Sequence, residues 1–211
     1  MNKTILLIVC ALASVLTACT SVRQLALLQG VQQQYTLPKQ PEFILTEGDA
    51  VHISLSSRNT DALTAYLTDG HDFLIDNDGT IQLPILGKQT LAGKTLKQVE
   101  QMLHEAISPF INDLIVHVRI TNGSIIMLGA LKAQQKLTIT HPVTLLDAIA
   151  ACGGMTVNAK RDDILIERKE NGQIRHHHIN LLTDELFASP CYYLMKGDVV
   201  YISPLYPLRR Y

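Results

Sequence analysis

The stretch FLIDNDGTIQLPILG, residues 73–87, decides how the rest of the chain is read. Phe73, Leu74 and Ile75 form a short apolar run, Asp78-Gly79 supplies turn chemistry, and Ile81 and Leu83 resume a two-residue alternation. An Asp-Gly pair between such runs predicts a hairpin, because glycine enters the positive-φ region without a Cβ penalty. Pro84 removes a ladder donor and Gly87 reverses the chain, so the alternation stops there.

The same two-residue period lies on both sides of this stretch. Upstream, Val51, Ile53 and Leu55 alternate with His52 and Ser54, the mark of a half-buried strand. Downstream, Gly93 turns the chain and Thr95 caps a helix with Leu96, Val99, Met102, Leu103 and Ile107 at helical spacing, ended by Pro109. Leu114, Val116, Val118 and Ile120 alternate again. These elements make a first domain over residues 42–122.

A second domain is expected over residues 123–204. Residues 125–128 and the pair Leu137 and Ile139 read as strands, with Gly129 between them. Thr144 caps a helix through Leu145, Leu146, Ala148 and Ile149, and Gly153-Gly154 closes it. Residues 164–167 and 174–179 flank Asn171-Gly172, a strong hairpin signal. Residues 181–187 suggest a short helix and residues 199–202 a last strand. Strands with one main helix in each half place the chain in the α+β class, as two small mixed domains.

The first residues read differently. Lys3 precedes an apolar run over residues 5–15, too short for a permanent span of roughly 20 residues but suited to a secretory signal. Its end, Leu16-Thr17-Ala18-Cys19, resembles the bacterial lipobox, so residues 1–18 are expected to be a lipoprotein signal peptide removed before Cys19. The thiol is required there because a diacylglyceryl group is attached as a thioether. Thr20, in place of an aspartate, points to the outer membrane, so the expected location is the periplasmic face of that membrane, held by acyl chains. Each buried methylene contributes roughly 0.8 kcal/mol, and several chains make a firm anchor without a transmembrane helix. Residues 19–41, with Gln32-Gln33-Gln34, Pro38 and Pro41, read as a lipidated tether, and residues 205–211 as a short tail.

Composition narrows the function. A net charge of -1 gives no support for nucleic-acid binding, and the apolar content argues against disorder. Cys10 leaves with the signal and Cys19 carries lipid, so Cys152 and Cys191 remain, either paired or buried as free thiols. No Gly-x-Ser-x-Gly, phosphate loop or His-Glu-x-x-His is present, and the chain is read as non-enzymatic, with no cofactor and no metal. Asp162-Asp163 and Asp184-Glu185 read as solvated charges, since adjacent strand residues face opposite ways. His176-His177-His178 reads as an exposed edge strand, with a zinc or nickel site as the alternative. Gly153-Gly154 follows its helix, away from the end whose dipole attracts anions, and is a helix stop rather than a phosphate cradle. Tyr192-Tyr193 is either buried packing or a platform for sugar rings.

Several of these residues, taken in order, resemble the polysaccharide export family. Phe43, Leu45, Gly48, Asp49, Val51 and Ile53 are similar to its aromatic-x-Leu-x-x-Gly-Asp-x-Val-x-Ile opening. Asp78, Gly79, Ile81, Leu83, Pro84, Leu86 and Gly87 resemble its central Asp-Gly-x-Ile-x-Leu-Pro-x-Leu-Gly signature, and Gly93, Thr95 and Glu100 the entry to its helix. Thr144, Leu145, Asp147, Ala148, Ile149, Gly153 and Gly154 resemble the helix of the soluble-ligand-binding β-grasp module that follows in this family. Arg168 is similar to the arginine closing the next strand, and Gly197, Asp198, Val199, Val200, Tyr201 and Pro204 to the module's ending.

The resemblance implies an outer-membrane lipoprotein of a capsular or exopolysaccharide export channel. Copies would form a periplasmic ring around the polysaccharide, with an inner-membrane polysaccharide co-polymerase as partner. Gly48, Asp49, Asp78, Gly79, Pro84, Gly87, Gly93, Gly153, Gly154, Gly197 and Asp198 would be structural and assembly positions. Gln134-Gln135 stands where the family carries Pro-Gly, so that loop is expected to differ. Long members continue into a second β-grasp copy and a pore-lining helix, whereas this sequence stops at Tyr211; a separate outer-membrane β-barrel is therefore expected. The alternatives are a monomeric ligand-binding or accessory lipoprotein of an envelope complex, and an enzyme acting on glycans.

Overall fold

The computed structural model describes residues 27–28, 34–57, 70–84, 86–170 and 172–205. The chain is α+β. Its first sheet is centred on β1 (Ala50–Ser56), whose Val51, Ile53 and Leu55 all point into the core. β2 (His71–Leu74) pairs antiparallel with it. β3 (Thr80–Leu83) and β4 (Gly87–Thr90) form a separate hairpin. α1 (Leu96–Ile107) follows, and β5 (Ile115–Ile120) returns to the free side of β1, giving the order β2-β1-β5.

α1 starts where the sequence places it. Thr95 accepts from the Gln98 backbone N–H while the Gln98 side chain accepts from the Thr95 N–H, a reciprocal cap worth about 1 kcal/mol. Val99 and Leu103 on one face are buried. At the flank of that face, the Glu100 carboxylate accepts the Val118 N–H at 2.9 Å, satisfying a donor on the outer edge of β5.

One expected hairpin is corrected. The strands flanking Asp78-Gly79 do not pair with each other: β2 pairs with β1, and β3 with β4 through Leu83 opposite Gly87. The backbone of Ile75 is already committed, donating to Asp49 and accepting from Gly48. The turn instead closes on itself, with Asp76 and Thr80 bonded and Gly79 donating to Asp76, and its Gly79 carbonyl accepts Leu91 and Ala92.

The second sheet starts with β6 (Ser124–Gly129) and the antiparallel β7 (Gln135–Thr138). β8 (Val143–Thr144) leads into α2 (Leu145–Ala151), capped by Thr144 and Asp147 in the same reciprocal manner. β9 (Ala159–Glu170) and β10 (Gln173–Ile179) form the hairpin expected around Gly172; Asn171 lies outside the described residues. α3 (Glu185–Ala188), β11 (Tyr193–Leu194) and β12 (Val199–Pro204) complete the chain. The strand order is β10-β9-β12-β6-β7, with only β12 and β6 parallel, and β11 pairs with β8. Ile125, Met127, Ile164, Ile166, Val200 and Ile202 share one buried core with Leu145, Ala148 and Ile149 of α2.

Two segments differ from their sequence reading. The helix expected over residues 181–187 is only the turn Glu185–Ala188. Leu181 stays with the sheet by donating to Arg161, and the Asn180 side chain accepts the Leu182 N–H, an Asx turn that competes with helix. Residues 34–41, read as the end of a tether, are strapped across the fold. Tyr35 stacks on Phe187 at 4.7 Å and donates to Asp184 at 2.8 Å, and Gln40 donates to the Pro142 carbonyl. Further upstream, the Leu28 N–H donates to the Leu181 carbonyl. Cys152 and Cys191 are both free and buried.

Candidate functional site

Four of the residues singled out in the sequence, Gly48, Asp49, Gly197 and Asp198, lie at the junction between the two sheets. At Thr46–Asp49 the chain makes a tight turn with Gly48 at φ +83°, a conformation that favours glycine. Asp49 closes it: its carboxylate accepts the Thr46 N–H at 2.7 Å and the Thr46 hydroxyl at 3.2 Å. The second turn, at Met195–Asp198, is built the same way. Gly197 has φ +88°, and Asp198 accepts the Met195 N–H at 2.8 Å. In both, the aspartate N–H donates back to the carbonyl three residues earlier, and a strand, β1 or β12, starts at once.

This is an internal repeat. Gly48-Asp49-Ala50-Val51-His52-Ile53-Ser54 and Gly197-Asp198-Val199-Val200-Tyr201-Ile202-Ser203 share Gly-Asp-x-Val-x-Ile-Ser. Comparing the sequence with itself is the signal that finds it.

Each turn carboxylate is matched by one cation. Arg168, from β9, donates Nε to Asp198 Oδ1 at 2.9 Å and Nη2 to Oδ2 at 2.6 Å, a planar two-point contact. Its remaining donors reach the carbonyls of Pro190 and Tyr193. Asp198 is 1% exposed, so the pair is desolvated. Burial by itself pulls the Arg168 guanidinium down, but the hydrogen bonds and charge of Asp198 outweigh it and hold the group above its usual range. The neighbouring Cys191 thiol is pushed up to about 11, first by burial and further by Asp198, with Arg168 opposing.

Asp49 is matched across the junction. Lys196, inside the second turn, pairs with the Asp49 carboxylate and donates to the Thr46 hydroxyl at 3.1 Å. Both partners are mostly shielded from water. The connection between the sheets grips the first turn as well. Asn122 accepts from the Ala50 N–H at 2.9 Å and donates to the Gly48 carbonyl at 2.8 Å. On the other side, Ser124 and Ile126 bond to Gly197 and Asp198. The two Gly-Asp turns thus lie on either side of one short linker, cross-linked by Lys196.

The other singled-out residues lie apart from this junction. Asp78 pairs with Lys88 at 2.8 Å on the surface; the Lys88 hydrogen bond lowers the Asp78 carboxyl, but an exposed pair of this kind contributes little. Pro84 lies in the exposed β3–β4 loop and Gly87 opens β4, while Gly93 donates to Leu45. Gly153 and Gly154 donate to Ala150 and Ile149, ending α2. Gln134 accepts from Gly129 and Gln135 donates to the Ala151 carbonyl, so this loop is tied to the end of α2. Cys19 lies outside the described residues.

The three histidines of β10 face carboxylates of β9: His176 meets Glu167, His177 meets Glu170, and His178 meets Asp163 at 2.6 Å. Tyr192 is buried, edge-on to Tyr193 at 4.9 Å. Among the described residues no helix is long and apolar enough to cross a membrane. An open groove of about 540 Å³ runs between α1 and the 140–142 loop, lined by Pro41, Leu96, Lys97, Glu100, His141 and Pro142.

Residues 37–121 match the family model described as polysaccharide biosynthesis/export protein. The chain is 26% identical over 144 residues to the capsule polysaccharide export outer membrane protein CtrA of Neisseria meningitidis serogroup B, covering 65% of this chain and 35% of that relative. It is 27% identical over 134 residues to the capsule polysaccharide export protein BexD of Haemophilus influenzae, covering 60% and 32%. The chain therefore spans about a third of the length of the curated relatives it matches. The matched residues 37–121 take in the first Gly-Asp turn, the β3–β4 hairpin and α1, and over them the chain is similar to the polysaccharide export protein family.

Proposed function

We propose that this chain is an outer-membrane lipoprotein of a capsular or exopolysaccharide export apparatus, whose copies assemble into a periplasmic ring that conducts the polymer. The observation that carries the reading is the polysaccharide export match over residues 37–121, a segment held to the second sheet by the Lys196 contacts between the two Gly-Asp turns. A unit clamped in this way presents fixed surfaces to its neighbours, which lateral assembly requires. The ring does no chemistry: a conduit lined by polar groups lets a hydrated polymer pass without tight binding. Leu16-Thr17-Ala18-Cys19 supports acylation on Cys19 as the attachment to the membrane. An inner-membrane polysaccharide co-polymerase and an outer-membrane β-barrel are the partners proposed at the two ends of the path.

The test is deletion of the gene with quantification of surface polysaccharide, alongside native mass measurement of detergent-extracted protein. The reading expects loss of surface polymer and a closed oligomer. Unchanged secretion, or a strict monomer under conditions that preserve the membrane complex, would overturn it and favour a monomeric accessory lipoprotein.

A further inference from the structure

Strand β10 forms an edge of the second sheet, with β9 as its strand neighbour. Along it run His176, His177 and His178, which the export reading does not use. Successive side chains of a strand point to opposite faces, so His176 and His178 share one face and His177 takes the other. Their surroundings differ accordingly. The His177 side chain is 21% exposed and its Nε2 is closed off from water. The side chains of His176 and His178 are 56% and 65% exposed, open to a ligand from solution.

This open pair is backed by carboxylates from β9. The register sets Glu167 directly opposite His176, and the two side chains meet at 3.3 Å. Asp163 lies further along the same face of β9. One of its oxygens meets His178 Nδ1 at 2.6 Å, while the other accepts Lys160 Nζ at 2.8 Å. Those two contacts, Lys160 first, hold the Asp163 carboxyl below its usual range, so it stays ionised. With both oxygens engaged, the carboxylate is fixed, and it fixes the His178 ring with Nε2 as the remaining nitrogen. A carboxylate behind an imidazole is the arrangement that orients a histidine ligand and raises its basicity.

We propose that His176 and His178 form a two-imidazole chelate for a late divalent transition metal, Cu2+ ahead of Ni2+ and Zn2+, with Asp163 as the positioning residue behind His178. Two residues along a strand span about 6.5 Å, and imidazoles leaning together from that spacing reach one ion at about 2.0–2.1 Å each. Imidazole suits copper, nickel and zinc, with affinity rising to Cu2+, whereas calcium and magnesium take oxygen ligands. Among the described residues no group of three or more ligating side chains is gathered, so water completes the coordination. The chelate goes beyond the export reading and does not depend on it.

The test titrates Cu2+ into the full chain, extracted in detergent and free of any affinity tag, with glycine present as a weak competitor. Calorimetry reads the affinity, and electron paramagnetic resonance reads the ligands. One ion per chain, with hyperfine lines from two nitrogens, is expected, and excess Ca2+ should not displace it. His176→Ala and His178→Ala should each remove the two-nitrogen signal and most of the affinity; both residues are exposed, so the fold survives their replacement. His177→Ala should change neither readout. Asp163→Asn keeps both ligands and should weaken binding by roughly tenfold while the two-nitrogen spectrum persists. A spectrum without nitrogen lines, displacement by Ca2+, or a His176→Ala/His178→Ala double variant that binds like the parent overturns the chelate. Asp163→Asn binding as tightly as the parent overturns the positioning role.

Discussion

Substituting Arg168 by methionine tests the physical account of the second Gly-Asp turn. The guanidinium has two hydrogen bonds to Asp198 and one each to the carbonyls of Pro190 and Tyr193. Methionine keeps much of the stem volume and removes every donor. Asp198, 1% exposed, keeps the Met195 N–H but loses its counter-charge. Leaving a buried charge without its partner costs about 3–5 kcal/mol. For a domain of this size each kcal/mol moves the melting temperature by about 2–4 °C, so the midpoint should fall by roughly 6–20 °C. Urea unfolding followed by circular dichroism gives the free energy directly. The double variant Arg168→Met/Asp198→Leu removes the stranded charge and should recover part of the loss. A single variant within about 1 kcal/mol of the parent, or a double variant worse than the two singles summed, would show that the turn does not depend on this pair.

Three more outcomes follow from the same geometry. Lys196→Met and Asp49→Asn should be non-additive, with a coupling energy of about 1–3 kcal/mol in a double-mutant cycle, because their shielded pair joins the two sheets; additive effects would mean the contact is incidental. The Cys191 thiol is raised from the ordinary 9.0 to about 11. The folded chain therefore holds that proton longer than the unfolded chain, and stability present below about pH 9 should be lost between about pH 9 and 11, by roughly 2–3 kcal/mol. Cys191→Ala should flatten that stretch of the urea-derived stability profile. Gly79→Ala forces a side chain at φ +75° with its Cβ only 2.6 Å from that of Ala92, and should destabilise by at least about 1–2 kcal/mol in the same assay. A neutral effect would mean the turn rearranges freely.

Much of the local structure was legible in residue order. Val51, Ile53 and Leu55 alternate and β1 buries all three; Thr95 and Thr144 announce the helices they cap. These features depend on residues within one or two turns of one another, which is the range over which periodicity and capping act. The pairing of strands did not follow from the same signals. Asp78-Gly79 is a turn, yet the strands beside it go to different partners, because backbone bonds from Gly48 and Asp49, about thirty residues earlier, had already claimed Ile75. The contacts of residues 34–41 follow the same rule. Their polar, proline-bearing composition suits a free linker, and only the folded sheet supplies Phe187 and Asp184 to hold Tyr35.

The sequence by itself determined the α+β class and the positions of the two capped helices, since each is written in short-range residue chemistry. The tertiary structure alone decided that Arg168 meets Asp198, that Lys196 crosses to Asp49, and that Leu28 of the strap bonds to Leu181. Those relations join residues 30 to about 150 positions apart. No local preference encodes them, because they exist only once burial has brought the two sheets together and made an unpaired charge costly.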